Sequence, residues 1–318
     1  MKQLTIDELA VDLICPVCRT NSLHRSSLPV TGIQCTNCER VFLASQNIPS
    51  FLLEEFLDDT NRNEVQGNQY DVNDTEYIMA ATNKQTGTQA YVHSLMYALQ
   101  KVQSGIRTNA KVSCSQLWSL GSGTGFELKW LCRELSFSSV YSSDISASAV
   151  ALVPTTLAEI DLPVGLFVSE FSHIPVAKND ARIGLVFQAL HHSSDIHAAL
   201  NSLLRDCFTT LVIVEPTTNW FVEILSIFGL AKRIEYSGLK PSWLNLAEAK
   251  RIAKKNQFHM FVQTWWEIPP YVSVRFDRMP FARMWLIKCV DLLSYVTNLF
   301  SFGSMSCVTF VADTRSSE

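Results

Sequence analysis

Four cysteines fall in two tight pairs, Cys15-Pro16-Val17-Cys18 and Cys35-Thr36-Asn37-Cys38. Two C-x2-C turns can present four thiolates tetrahedrally to one zinc ion, and a full set of cysteines leaves no position for water or substrate. A structural zinc is therefore the expected occupant. The other five of the nine cysteines are scattered singly, which fits a metal site better than a disulfide framework. A second constellation is Gly121-Ser122-Gly123-Thr124-Gly125, preceded by the apolar or small run Leu117 to Leu120 and followed by a helix-like segment from Phe126. Glycines at this spacing let the backbone turn sharply and approach a ligand, while the helix N-terminus offers N–H groups to an anion. About 20 residues on, the strand-like run Ser139-Val140-Tyr141-Ser142-Ser143 ends at Asp144, a carboxylate suited to ribose hydroxyls. The dinucleotide fingerprint would want Gly or Ala where this chain has Phe126, which disfavours NAD and FAD. His191 and His192 end a later apolar run and could act as a general base, since histidine titrates near neutral pH. Structural hydrogen bonding is the alternative role for both, and Glu215 in the pair Glu215-Pro216 is the weaker base candidate.

The elements that would position these groups follow from the hydrophobic pattern. Strand-like runs also occur at 166–168, 183–189 and 211–216, leading into Ser169-Glu170-Phe171, Gln188 to His192, and Glu215-Pro216. Segment 243–257 reads as a helix, 258–268 as a strand, 281–300 as a long amphipathic helix and 305–313 as a last strand. The expected architecture is α/β, a Rossmann-like, mostly parallel seven-stranded sheet with helices on both faces, plus a small N-terminal zinc ribbon. Residues 1–60 are expected to form the ribbon, 61–83 the linker, overlapping a polar, acidic stretch at 54–75, and 84–318 the larger domain.

The chain has 318 residues, 47% of them hydrophobic and 18% charged, a balance that excludes wholesale disorder. Residues 1–10 lack the basic and apolar regions of a signal peptide, so a cytoplasmic protein is expected. Arg283, Lys288 and Asp291 interrupt the apolar segment 281–300 and argue against a membrane span. Charge is unevenly spread. Residues 1–80 carry five basic and twelve acidic side chains, the wrong sign for nucleic acid around the ribbon. Residues 231–288 carry eleven Lys/Arg against four Asp/Glu, with Trp243, Trp265, Trp266, Tyr271, Phe281 and Trp285 in or beside the same stretch. Segment 231–300 is thus expected to meet an anionic, partly apolar acceptor or, peripherally, a membrane surface; buried tryptophans under a solvated lysine face are the plainer alternative.

Two family resemblances sit on these motifs. Leu13 to Cys18, Ile33 to Cys38 and Asn47-Ile48-Pro49-Ser50-Phe51-Leu52-Leu53 resemble the Trm112-like zinc-ribbon family over about 45 residues. That family commonly has Gly after the last cysteine, where this chain has Glu39, so a differently shaped second knuckle is expected. The resemblance implies a module that stabilises a methyltransferase, here fused in the same chain. Residues 110–217 resemble class I S-adenosylmethionine (SAM)-dependent methyltransferases, especially the small-molecule and lipid-modifying branch. By that resemblance Gly121, Ser122, Gly123 and Gly125 would hold the methionine part and Asp144 the ribose. Ile145 would pack on the adenine, Ser169, Glu170 and Phe171 would flank it, and Gln188 would lie beneath the cofactor. Two departures stand out: the aspartate beginning the fourth strand is displaced to Asp180 or missing, and Arg205-Asp206-Cys207-Phe208 replaces a Pro-Gly-Gly turn. The activity implied is methyl transfer to a small-molecule or lipid-linked acceptor. The competing readings are an RNA methyltransferase and a non-catalytic SAM-binding or partner-activating protein. Because a sulfonium donor is already activated, such an enzyme acts mainly by proximity and orientation, and a base is optional. The aromatic-rich segments 220–229 and 265–300 would shape the acceptor pocket.

Overall fold

A computed structural model describes residues 1–26, 31–57, 89–109, 115–227, 242–267, 276 and 279–313. The expected linker at 61–83 and parts of the basic stretch, at 231–241 and 268–275, lie outside the described residues. The chain opens with β1 (Lys2–Gln3) and α1 (Ile6–Asp12). Thr5 caps α1: its hydroxyl accepts from Glu8 N at 3.3 Å while the Glu8 carboxylate accepts from Thr5 N at 2.8 Å. Four short strands follow, β2 (Leu23–Ser26), β3 (Gly32–Cys35), β4 (Val41–Ser45) and β5 (Ile48–Pro49), paired in chain order as an antiparallel ribbon.

The next long element is α2 (Gln89–Asn109). Next come β6 (Gln116–Leu120), α3 (Phe126–Glu134), β7 (Ser139–Asp144), α4 (Ala147–Thr156) and β8 (Pro163–Val168). Then follow β9 (Arg182–Phe187), α5 (Ile196–Ser202), β10 (Thr210–Pro216) and α6 (Trp220–Ile227). The last elements are α7 (Leu246–Lys255), β11 (Phe258–Trp265), α8 (Pro280–Asn298) and β12 (Met305–Ala312). The sheet order is β1-β8-β7-β6-β9-β10-β12-β11, with β12 antiparallel to both of its neighbours and all other pairs parallel. Side chains alternate across it. Leu117, Val212 and Val214 belong to a core with Leu99, Val102 and Leu128 from α2 and α3, while Trp118, Leu211 and Ile213 join Leu9, Leu200 and Ile252 from α1, α5 and α7 on the other face.

The sheet has eight strands where seven were expected. The extra one is β1, too short to show a two-residue period, which pairs in parallel with the start of β8 and so covers the sheet edge. The ribbon is joined to the same edge at several points. Phe51 N donates to Val168 O at 2.8 Å and Ile14 N to Pro175 O at 2.9 Å. The Arg19 guanidinium donates to the carbonyls of Ile174, Val176 and Asp206 at 2.6, 2.8 and 3.1 Å. Asp206 lies in the wide helical turn Leu203–Cys207 that stands where a Pro-Gly-Gly turn was expected, so this departure supplies a carbonyl to the ribbon.

Candidate functional site

Strands β6 and β9 are neighbours from which the chain winds outward in opposite directions, and in open α/β sheets ligands bind beyond the carboxyl ends of strands at such a switch point. Every candidate cofactor and catalytic residue falls at such an end. The loop after β6 takes left-handed backbone at Gly121 (φ 65°), Gly123 (φ 51°) and Gly125 (φ 78°). A Cβ on Gly121 would lie 2.4 Å from Ala189 Cβ and 3.0 Å from Phe171 Cζ, so glycine there brings the loops after β8 and β9 against the loop after β6. A Cβ on Gly123 would meet nothing within 4 Å, which leaves its backbone open to a ligand. Ser122 fastens the loop to β7, with its N donating to Ser143 O at 3.0 Å and its hydroxyl 2.5 Å from that of Ser142.

Asp144, the last residue of β7, accepts from Gly123 N at 2.8 Å through one carboxylate oxygen and from Ser146 N at 2.9 Å through the other. An ionised carboxylate is an acceptor-only group of the kind that can take hydrogen bonds from a vicinal diol. Ile145 follows, half-buried. Ser169 N donates to Asp144 O at 3.1 Å, and the hydroxyls of Ser143 and Ser169 are buried without a hydrogen-bond partner, a pair of unmet polar groups beside Asp144 that a ligand could satisfy. The Glu170 carboxylate turns onto its own loop, accepting from Ser172 N and meeting His173 Nδ1, both at 2.6 Å, whereas the Phe171 ring packs at Gly121.

At the end of β9, Gln188 has φ 51° and donates its N–H to Val214 O at 2.8 Å. His191 Nδ1 lies 2.6 Å from Glu215 Oε2, and the other carboxylate oxygen accepts from Ala189 N and Leu190 N at 3.0 and 2.6 Å. Glu215 is fully buried, and both of its oxygens have partners from one turn. Opposite an ionised Glu215 carboxylate, Nδ1 is the ring nitrogen that donates. The His192 ring stands 4.3 Å from that of His191, and its backbone N–H closes the turn on Ala189 O.

Two acids that the sequence reading did not single out complete the cleft. Glu127, in the first turn of α3, is buried under the glycine loop with Ser119 Oγ donating to it at 2.7 Å; burial pushes its carboxyl up to about 7, with Asp144 adding repulsion. Its position in a first helical turn reads as an ordinary dipole-favoured acid, and only the helical phase shared with Leu128 and Leu131 turns it inward. Glu267, just past β11, is also pushed up to about 7 by burial, opposed by a hydrogen bond to Gln188 and by His191. No local motif could have announced it.

The four cysteine sulfurs lie within 4.8 Å of one another, with Cys15–Cys38 at 3.6 Å and Cys18–Cys35 at 3.5 Å. Tetrahedral zinc–sulfur bonds of about 2.3 Å would put sulfurs about 3.8 Å apart, so the set fits such an ion. The hydroxyls of Thr20 and Ser22 sit 3.0 and 3.1 Å from the sulfurs of Cys18 and Cys35. Both knuckles have one shape, contrary to the expectation for the second. Arg19 and Glu39 take φ 59° and 61°, and Cys15 N and Cys35 N donate to Thr20 O and Arg40 O at 3.0 and 2.9 Å. Glu39 simply adopts the left-handed backbone that a glycine would favour.

Residues 118–207 match a protein family described as a methyltransferase domain. No curated protein matches the chain. Among solved structures, the fold is similar to that of magnesium protoporphyrin IX methyltransferase from Synechocystis PCC 6803 with bound SAH. The two share 12% identity over 80% of this chain and 98% of that one, with a TM-score of 0.53. Haemonchus contortus phosphoethanolamine N-methyltransferase 2 shares 14% identity over 84% of this chain and 62% of that one, with a TM-score of 0.48. The chain thus has the Rossmann-like fold of a methyltransferase, and the matched segment holds the glycine loop, Asp144 and His191.

Proposed function

We propose that this protein is a SAM-dependent methyltransferase acting on a small-molecule or lipid-linked acceptor, with a structural zinc in its N-terminal ribbon. The observation that carries the reading is the Asp144 carboxylate, locked by Gly123 N and Ser146 N beside an open glycine loop and two unmet serine hydroxyls. When bound, SAM would supply an electrophilic methyl group on a sulfonium. Gly121 to Gly125 would hold the methionine end, Asp144 the ribose, and Ile145 and Phe171 the faces of the adenine. Ser169 and Gln188 would border the same ligand, and Glu170 would brace the loop rather than touch the ring. His191, held by Glu215, would accept at Nε2 the proton of a hydroxyl or amine acceptor. The four thiolates of Cys15, Cys18, Cys35 and Cys38 would fill the zinc shell and exclude catalysis at the metal.

Incubation with methyl-labelled SAM and a cell extract separated into lipid, RNA, protein and small-metabolite fractions tests this reading. Label is expected in the lipid or small-metabolite fraction. Label confined to RNA would replace the acceptor class, and SAM binding with no transfer to any fraction would make the protein a non-catalytic binder.

A further inference from the structure

Helix α8 is turned inside out. Its hydrogen-bonding side chains face the protein: Ser294 Oγ accepts from Trp266 N at 2.9 Å, Thr297 Oγ1 from Trp266 Nε1 at 3.0 Å, and Asn298 Oδ1 from Thr264 N at 2.6 Å. Asp291 meets His93 Nε2 at 3.1 Å. Ser294 is the buried residue of the helix. At 3.6 residues per turn, Phe281, Trp285, Leu292, Tyr295 and Leu299 fall on one stripe. That stripe faces outward, with exposures from 64% at Trp285 to 80% at Phe281. A surface helix of a globular protein normally has the reverse arrangement. Helix α6 extends the same surface, since Trp220, Ile224 and Ile227, at i, i+4 and i+7, are all exposed. The Trp220 ring lies 5.8 Å from that of Phe302, which lies 5.8 Å from that of Trp266, so one aromatic row joins the two helices.

Charge identifies what would cover this surface. Exposed Lys288 lies on the α8 stripe itself and exposed Glu223 on that of α6, while the sequence from 275 to 288 carries Arg275, Arg278, Arg283 and Lys288 against Asp277. Cations interleaved with aromatics suit the boundary between anionic headgroups and acyl chains, where a long lysine stem lies on apolar surface with its head among phosphates. A second copy meeting this face would instead bury Lys288 in an apolar interface away from water and phosphate. No described helix is long and apolar enough to cross a membrane, so the helix would lie on one. The patch also borders the cleft, because Trp266 in the aromatic row is followed by Glu267, which bonds Gln188.

We propose that the outward face of α6 and α8 docks on an anionic lipid bilayer and sets the acceptor end of the cleft beside it, so that an apolar acceptor enters from the membrane. The delivery of an acceptor rests on the methyl-transfer reading above; the docking does not. The test is co-sedimentation of the full chain with vesicles of phosphatidylcholine alone or mixed with phosphatidylglycerol. It is run on wild type and on the triple variant Trp285→Glu, Leu292→Glu, Leu299→Glu, with thermal unfolding and SAM calorimetry run on both without vesicles. Wild type should sediment with the anionic vesicles and be released as salt rises. The variant should partition more than about tenfold more weakly while unfolding and binding SAM as wild type does. Wild type left in the supernatant with anionic vesicles at low salt, or a variant that sediments equally, would overturn the docking. A wild-type dimer in light scattering that the variant splits, with no vesicle binding, would overturn it in favour of a second copy. Vesicle binding without SAM binding would support the docking and overturn the delivery.

Discussion

Replacing Glu127 by Gln should stabilise the protein at neutral and alkaline pH and change little in acid. In the folded chain burial raises this carboxyl from the ordinary 4.5 to about 7, only partly offset by the hydrogen bond from Ser119. Below pH 4.5 both folded and unfolded chains keep the proton, and the buried acid carries no ionic penalty. As pH rises from 4.5 to 7 the unfolded chain ionises first, so stability falls; above 7 the folded chain ionises too and the loss levels off. The gap between 4.5 and about 7, at about 1.4 kcal/mol per tenfold, amounts to about 3 kcal/mol. The substituted amide has no proton to lose and keeps an acceptor for Ser119 Oγ, so the variant escapes this loss. At about 2–4 °C per kcal/mol for a unit of this size, its melting temperature should exceed that of wild type by about 6–12 °C in alkaline buffer, the gap closing in acid. Thermal unfolding of both proteins, followed by circular dichroism across this range, makes the comparison. A gap that is constant with pH, or that widens in acid, would refute the argument.

Other substitutions probe the cleft and the ribbon. Asp144→Ala removes a carboxylate that can accept from ribose and should weaken SAM binding by about 1.5–3 kcal/mol; an unchanged affinity in calorimetry would remove Asp144 from the cofactor site. Glu215→Gln leaves His191 without its charged partner, so turnover should fall at least about tenfold with little change in KM. A matching fall in cofactor affinity would show that the turn at 188–191 had collapsed instead. Freshly purified protein should carry about one zinc per chain by metal analysis, and Cys35→Ser should lose it. Because Arg19 and Phe51 tie the ribbon to the loop after β8, that variant should also bind SAM more weakly; full affinity in the metal-free protein would make these ties incidental.

The parts of the site legible in the sequence are those whose chemistry is encoded by local spacing. Two C-x2-C pairs, a glycine loop after a strand, and Asp144 about 20 residues later each lie within one turn or one strand–loop–helix unit. What stayed hidden depends on partners far apart in the chain. Glu215 looks like a strand-end acid until Ala189, Leu190 and His191 are folded onto it. Glu267 acquires its environment from Gln188 and His191. The amphipathic pattern of 281–300 was visible, but periodicity does not say which stripe faces inward; that is decided by Trp266 and Thr264 offering N–H groups to Ser294, Thr297 and Asn298. The Glu39 knuckle departs from expectation because side-chain identity is a weak guide to a left-handed turn that the surrounding structure can impose.

The pairing of Lys2 with Pro163 and Gln3 with Val164 also sets an order of events during synthesis. The first strand leaves the ribosome some 160 residues before its partner, and Ile6 and Leu9 of α1, which share an apolar cluster with the ribbon's Ile33 and Phe42, gain Tyr141 of β7 and Phe167 of β8 only later. The ribbon can form early, but its attachment must be among the last contacts made, since the entropy of closing so long a loop is offset only by contacts that arise together. During that interval the outer backbone of β8 is an unpaired edge, open to pairing with another nascent chain. Aggregation of this protein should therefore be governed less by its overall stability than by how quickly residues 1–12 find the edge of β8 on refolding.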